Sequence, residues 1–304
     1  MRPGGVGRRV VTRMGRRGLG TDHRRAGECE GQYGKRACVN KHVDLPPRRD
    51  IVPRTERRCR ARPRDAGQES SIASTMQKLV LFDIDGTLVL TGRAGLRALD
   101  LAFCDVLGVE GALEGIAFAG RTDRAILEDA LRRADPFGHV DRAPLDRLRE
   151  SYLAHLSRAI AEDRPDKGVL PGVRPLLDAL GERPSVELAL LTGNLEEGAR
   201  IKLEHFDLWR HFGWGVFGGT TTDRNTLMTE ALQTAHRRGV CPSSVDAVFV
   251  VGDTPYDVAC AKSVGARALG VATGPYDATT LRASGADEVF DDLADTVALL
   301  KWLA

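Results

Sequence analysis

The chain has 304 residues, of which 42% are hydrophobic and 28% are charged, and its net charge is +2. This length and composition suit a folded protein with one large domain or two smaller ones. No run of about 18 apolar residues occurs, and the N-terminus lacks the apolar stretch of a secretory signal, so we expect no membrane partner and a cytoplasmic location.

Residues 1–75 form a strongly basic segment, which holds 19 of the 44 lysines and arginines but only 8 of the 42 aspartates and glutamates. The only aromatic side chain before Phe82 is Tyr33, so the segment has too little apolar surface to offset the entropy lost on ordering. We therefore interpret residues 1–75 as a disordered extension. It is either an over-long start ahead of Met76, which we favour, or a basic arm that binds nucleic acid or an acidic membrane surface.

From Lys78 onward, short apolar runs alternate with helical patterns. Four runs end in small polar residues, as buried parallel strands do: residues 78–82, 186–191, 247–251 and 267–271. Helical segments at 194–206 and 225–238 lie between them, so the pattern predicts an α/β fold with a doubly wound, Rossmann-like parallel sheet. Ligands of such sheets bind beyond the carboxyl ends of the strands, and we therefore expect Asp83, Thr192 and Asp253 to converge.

The alternation is interrupted between residues 93 and 169, where apolar side chains recur at helical spacing in three stretches. We predict an inserted α-helical cap at 93–169. The catalytic core would then comprise residues 76–92 and 170–304.

Two pairs of acidic residues follow predicted strands. Asp83 and Asp85 are two positions apart, and Gly86 allows the sharp turn that exposes both, so one carboxylate can attack while the other transfers protons. Asp253 ends a later strand and Asp257 follows at helical spacing. Asp253 with Asp83 would suit Mg²⁺, and Asp257 would either orient these ligands or stabilise a helix N-terminus.

In combination, these motifs resemble those of the haloacid dehalogenase-like hydrolase superfamily, in its phosphoglycolate-phosphatase-like branch with a helical cap. Residues 83–89 (DIDGTLV) match the first motif, residues 190–194 (LLTGN) the second and residues 252–257 (GDTPYD) the fourth. The resemblance covers the chain from Met76 to its end. It implies a Mg²⁺-dependent phosphatase that hydrolyses a small phosphorylated metabolite, such as phosphoglycolate, a sugar phosphate or a nucleotide.

The resemblance also implies roles for individual residues. Asp83 attacks phosphorus, and Asp85 protonates the leaving alkoxide and then activates water. Mg²⁺ is held by Asp83, Asp253 and the backbone carbonyl of Asp85. Phosphoryl oxygens are bound by Thr192 and by the backbone amides of Gly193 and Asn194.

The third motif departs from the family pattern, because residues 220–225 (TTTDRN) stand where a lysine is usual. We favour Arg224 as the cation that pairs with phosphate and Asp83. Lys202 is the alternative, but we expect its helix to run away from the catalytic edge, roughly 10 Å along at 1.5 Å per residue.

Residues 120–123 (GRTD) resemble the cap loop that reaches the substrate in capped relatives, so Arg121 is a candidate for reading the leaving group. The segment is also compatible with an ordinary helix start, in which Thr122 or Asp123 is the N-cap of the following helix. Two alternatives to a phosphatase stay open. One is a phosphosugar mutase of the same superfamily, and the other is a nucleic-acid-associated protein that acts through the basic extension.

Overall fold

The computed structural model describes residues 77–134 and 143–303. The expectations for the basic extension, residues 1–75, concern a segment outside the described residues. Within those two ranges, no helix is long and apolar enough to cross a membrane.

A six-stranded, fully parallel sheet forms the centre of the fold, in the order β5-β4-β1-β6-β7-β8. Four of these strands match the predicted ones to within a residue, and two three-residue strands extend the sheet at its edges. The strands are β1 (Lys78–Phe82), β4 (Val186–Thr192), β5 (Gly215–Phe217), β6 (Val248–Gly252), β7 (Arg267–Val271) and β8 (Glu288–Phe290). The prediction of a doubly wound parallel sheet is confirmed.

Helices cover both faces of the sheet. Alternate side chains of β1 point to opposite faces, so Val80 and Phe82 join one buried cluster while Leu79 and Leu81 join another. The first cluster includes side chains of α4, α5 and α9, and the second includes side chains of α6 and α7. The helices after the insertion are α4 (Val173–Gly181), α5 (Glu196–His205), α6 (Arg224–Arg237), α7 (Pro255–Lys262), α8 (Ala278–Ala283) and α9 (Thr296–Trp302).

The helical insertion leaves the core through β2 (Val89–Thr91) and returns through β3 (Lys167–Val169), which pair as an antiparallel ribbon. Between them lie α1 (Ala94–Leu107), α2 (Asp123–Ala134) and α3 (Ala143–Ala159). These helices share a hydrophobic core of their own, separate from the two clusters at the sheet. An inserted helical unit is therefore confirmed, while its boundaries at residues 93 and 169 stay a prediction.

The topology explains why distant residues meet. Strands β4, β1 and β6 are neighbours and run in the same direction, so their carboxyl ends lie at one edge of the sheet. Thr192 ends β4, Asp83 follows β1 and Asp253 follows β6. The expected convergence of these three residues is thus a property of the fold.

Candidate active site

Asp83 lies at the floor of the site, buried and close to a buried arginine. Nη2 of Arg224 is 3.2 Å from Oδ1 of Asp83, and the same guanidinium nitrogen contacts Asp257. Burial raises the pKa of Asp83 to about 6, and the charge of Arg224 opposes that rise. Arg224 therefore neutralises part of the negative charge around Asp83.

The position of Arg224 follows from its place in the chain. It is the first residue of α6, whose N-cap is Asp223. Its side chain is only 7% exposed, and its Nη1 also donates to the backbone carbonyl of Gly120 in the helical insertion, at 3.1 Å. Arg224 thus lies beside Asp83, although its role in phosphate binding stays a prediction.

Asp83, Asp253 and Asp257 form a buried acidic cluster, in which one oxygen from each carboxylate lies within 4.8 Å of the others. Burial and the neighbouring carboxylates of Asp257 and Asp83 raise the pKa of Asp253 well above its usual range. A single arginine contacts two of these three acids, Asp83 and Asp257, so the cluster has an excess of negative charge. Hard oxygen donors with that excess fit a divalent cation such as Mg²⁺.

Asp257 contacts Thr254 and Arg224 at the start of α7. It forms a capping box with Thr254, and its Oδ2 accepts from Thr254 N at 3.0 Å and from Thr254 Oγ1 at 2.7 Å. Its Oδ1 accepts from Arg224. Both interpretations of Asp257, as a helix-capping charge and as a residue that orients the acidic cluster, are compatible with these contacts.

Gly86 allows the loop after β1 to approach this cluster. Its φ of +86° is in the left-handed region, and a Cβ atom there would lie 2.3 Å from Oδ2 of Asp253. The next residue, Thr87, donates its hydroxyl to Oδ1 of Asp253 at 3.1 Å. The DIDGT segment thereby contacts the fourth motif directly.

Asp85 lies on the other side of the site, with 40% of its side chain exposed. Its Oδ2 accepts hydrogen bonds from Nδ2 of Asn194 at 2.9 Å and from Nζ of Lys202 at 2.6 Å. Lys202 Nζ also donates to Oδ1 of Asn194 at 2.6 Å. The three polar side chains form a connected network.

The expectation that Lys202 lies away from the catalytic edge is wrong. Side chains of an α-helix tilt toward its N-terminus, and α5 begins only at Glu196. The long side chain of Lys202 therefore extends back to the strand ends and is buried there. Its ammonium group contacts Asp85 rather than Asp83, whereas Arg224 contacts Asp83.

The second motif lies between the two carboxylates of the first. Thr192, Gly193 and Asn194 line the cavity beside Asp83 and Asp85. The Thr192 hydroxyl accepts from Nδ2 of Asn194 at 2.8 Å. A Cβ atom on Gly193 would lie 2.1 Å from the carbonyl oxygen of Arg121, so only glycine permits this contact with the insertion. Phosphate binding by this loop stays a prediction.

Arg121 lines the cavity, but its guanidinium is engaged elsewhere. It donates to Oδ2 of Asp129 at 2.6 Å and to the backbone carbonyl of Ala117 at 3.2 Å. A role in reading the leaving group stays a prediction, and it would require Arg121 to exchange these partners for the substrate.

Asp123 connects the helical insertion to the residues of the second motif, and the sequence patterns did not reveal this contact. Thr122 caps α2, because its hydroxyl accepts from Ala125 N at 3.2 Å, and this leaves Asp123 free for other contacts. Its N–H donates to Gly193 O at 2.7 Å, and its Oδ2 accepts from Leu195 N at 2.9 Å. Burial raises the pKa of Asp123 to about 6, against the opposing effects of Lys202 and the Leu195 N–H.

Asp83, Asp85 and Asp253 border one cavity of about 600 Å³ between the strand ends and the helical insertion, and so do Arg224, Lys202 and residues 192–194. Its floor carries Asp83, Asp85, Arg224 and Asp253. A cavity of this size suits a small organic molecule. The arrangement offers a buried carboxylate, a second and partly exposed carboxylate near it, and an acidic cluster, which together suit phosphoryl transfer.

Comparisons with known sequences agree with this chemistry. The sequence model of the haloacid dehalogenase-like hydrolase family matches residues 80–262. A phosphoglycolate phosphatase from Pseudomonas putida is 29% identical over 230 residues, which cover 75% of this chain and 81% of that protein. A phosphoglycolate phosphatase from Rhodospirillum rubrum is 32% identical over 229 residues, which cover 72% of this chain and 89% of that protein.

The fold has solved counterparts as well. A crystal structure described as a predicted phosphoglycolate phosphatase from Haemophilus somnus has a TM-score of 0.57 and 19% sequence identity. The match covers 74% of this chain and 98% of that one. At this level of identity the likeness extends to the fold alone.

Proposed function

Since the chain belongs to the haloacid dehalogenase-like hydrolases, we propose that it hydrolyses a small phosphomonoester through an aspartyl-phosphate on Asp83. The observation that carries the proposal is the position of Asp83, which follows β1 at the floor of the cavity. There it lies 3.2 Å from the buried guanidinium of Arg224 and within the acidic cluster.

In the first step, an oxygen of Asp83 attacks phosphorus and the bond to the ester oxygen breaks. Asp85 gives its proton to the departing alkoxide, which leaves as an alcohol. In the second step, Asp85 takes a proton from water, the water oxygen attacks phosphorus, and phosphate leaves as the Asp83 carboxylate is restored. One difficult displacement is thereby divided into two easier ones.

The surroundings of Asp85 suit its acid–base role. Lys202 and Asn194 hold one of its oxygens, at 2.6 and 2.9 Å, which sets the orientation of the carboxyl group. The partial exposure of Asp85 gives it access to substrate and water. Lys202 acts here as a positioning residue for Asp85.

Asp83 and Asp253 would hold Mg²⁺, together with the backbone carbonyl of Asp85, and Asp257 would orient these ligands. The ion, when bound, supplies positive charge that offsets the negative charge of the phosphoryl group. Arg224 contributes a second, permanent positive charge beside Asp83. Thr192 and the amides of Gly193 and Asn194 would bind the phosphoryl oxygens.

The test is phosphate release from a panel of phosphomonoesters, with Mg²⁺ and with a chelator. We expect Asp83→Asn to abolish release while the protein stays folded, because the amide is nearly isosteric but is not a nucleophile. Asp246→Asn is the matched control, because Asp246 is exposed and precedes β6 at the opposite edge of the sheet. Substantial phosphate release by folded Asp83→Asn would refute the proposal.

The same panel separates a phosphatase from a phosphosugar mutase. A phosphatase releases inorganic phosphate in proportion to the ester consumed. A mutase converts one phosphosugar into its isomer without net release of phosphate. We expect the first result.

A further inference from the structure

The active-site cavity is larger than a minimal substrate requires. Its volume of about 600 Å³ lies in the middle of the range for drug-sized ligands, which is roughly 300–1,000 Å³. The phosphoryl group occupies only the polar floor, near Asp83 and Asp253. The rest of the cavity extends toward the helical insertion, where the leaving group of a phosphomonoester would lie.

Apolar side chains of the insertion line the cavity and form what we call its apolar wall. Leu96 and Leu99 belong to α1, Phe118 lies in the following loop, Ile126 belongs to α2 and Tyr152 belongs to α3. All three helices of the insertion thus direct a hydrophobic or aromatic side chain to the cavity. A wall of this kind stabilises a leaving group by removing its apolar surface from water.

The cations that border the cavity are already engaged or exposed. The guanidinium of Arg121 is paired with Asp129, and the ammonium of Lys202 is paired with Asp85 and Asn194. Arg93 also borders the cavity, but it is exposed to solvent, where an ion pair contributes little. A charged leaving group would therefore find weak compensation for its lost hydration.

The buried groups on the insertion side add no positive charge. Tyr152 is 4% exposed, and burial raises the pKa of its hydroxyl well above its usual range, so it remains a neutral donor. Asp123 also lines the cavity, and it would repel an anionic leaving group when ionised.

We propose that the leaving group of the natural substrate has an apolar body, an alkyl chain or an aromatic ring, rather than a second anionic group. This inference rests on the proposed phosphatase function and specifies its substrate class. On this inference, the substrate preference of this protein differs from that of an enzyme whose preferred substrate is a short phosphorylated acid.

The test compares alkyl phosphates with equivalent leaving groups, namely ethyl, butyl and hexyl phosphate, with phosphoglycolate in the same assay. Each added methylene should raise kcat/KM by roughly threefold to fourfold, as expected for about 0.8 kcal/mol per buried CH₂ group. Butyl phosphate should be a better substrate than phosphoglycolate.

A flat or falling series, or a higher kcat/KM for phosphoglycolate than for butyl phosphate, overturns the inference and leaves the phosphatase function in place. Absence of phosphate release from every ester overturns the phosphatase function itself, and the inference with it. The two failures are therefore distinguishable.

Variants assign the effect to the apolar wall. Leu96→Asn should flatten the dependence of kcat/KM on chain length, so that the ratio between hexyl and ethyl phosphate falls toward one. Leu101→Asn on the same helix is the control, because Leu101 is 47% exposed and lies outside the cavity. If Leu96→Asn fails to fold, Leu90→Asn repeats the test at a cavity position that is 40% exposed. A length dependence unchanged in a folded wall variant contradicts the inference.

Discussion

We expect Arg224 to stabilise the folded protein, in addition to the role that we propose for it beside Asp83. Its guanidinium lies between Asp83 and Asp257, and the oxygens of these carboxylates and of Asp253 are within 4.8 Å of one another. Two like charges 4.8 Å apart repel by about 3 kcal/mol at an effective dielectric constant of about 20. Removal of one partner from a buried ion pair typically costs about 3–5 kcal/mol.

We therefore expect Arg224→Ala to lower the free energy of unfolding by about 3–5 kcal/mol at pH 8 in the presence of a chelator. Saturating Mg²⁺ should stabilise this variant more than the wild type, because a divalent cation neutralises carboxylates that have lost their arginine. Arg224→Lys should give an intermediate loss, since an ammonium group cannot reproduce the planar fork.

Urea denaturation with and without Mg²⁺ measures both effects. Arg210→Ala is the matched control, because its ion pair with Asp207 is solvent-exposed, and such pairs contribute at most about 1 kcal/mol. The reasoning is refuted if Arg224→Ala, in chelator, is destabilised no more than Arg210→Ala. It is refuted equally if Mg²⁺ stabilises the variant and the wild type by the same amount.

Three further predictions concern the groups around Asp85. Asp85→Asn should slow turnover by roughly 10²- to 10⁴-fold through lost proton transfer, and an unchanged rate at saturating Mg²⁺ would exclude that role. Lys202→Met should lower kcat more than it changes KM, because Asp85 loses the buried partner that orients it. If Lys202 acts through Asp85, the substitution should have little further effect in Asp85→Asn, and a full additional loss of kcat would contradict that role. The raised pKa of Asp123, about 6, means that its contribution to stability is present below about pH 4 and is lost as the pH rises through 6. Over that window the wild type should lose up to about 3 kcal/mol, and urea midpoints should show a smaller loss for Asp123→Asn.

The sequence was most informative at the strand ends. Asp83, Thr192 and Asp253 each follow an unbroken apolar run, and a parallel sheet brings the ends of such runs to one edge whatever their separation in the chain. The edge strands β5 and β8 were missed because three residues are too few to show a strand pattern.

Lys202 and Arg121 show where residue spacing is insufficient. The distance along a helix measures the position of the Cα atom, whereas a lysine side chain can reach back past a full turn. Arg121 was predicted to face the substrate because its loop does, but Asp129 lies two turns into α2, within reach of the guanidinium. In both cases the direction of a side chain decides which residue it contacts, and the spacing of residues in the sequence does not give that direction.

The paired strands β2 and β3 have a consequence for the architecture of this protein. Because the chain leaves the core and returns to it side by side, everything between these strands is a closed excursion that does not alter the strand order of the sheet. A different insertion could connect the same two strands without changing the strand order of the core. The helical insertion, which would surround the leaving group, is therefore topologically exchangeable, whereas the sheet that positions Asp83 and Asp253 is not.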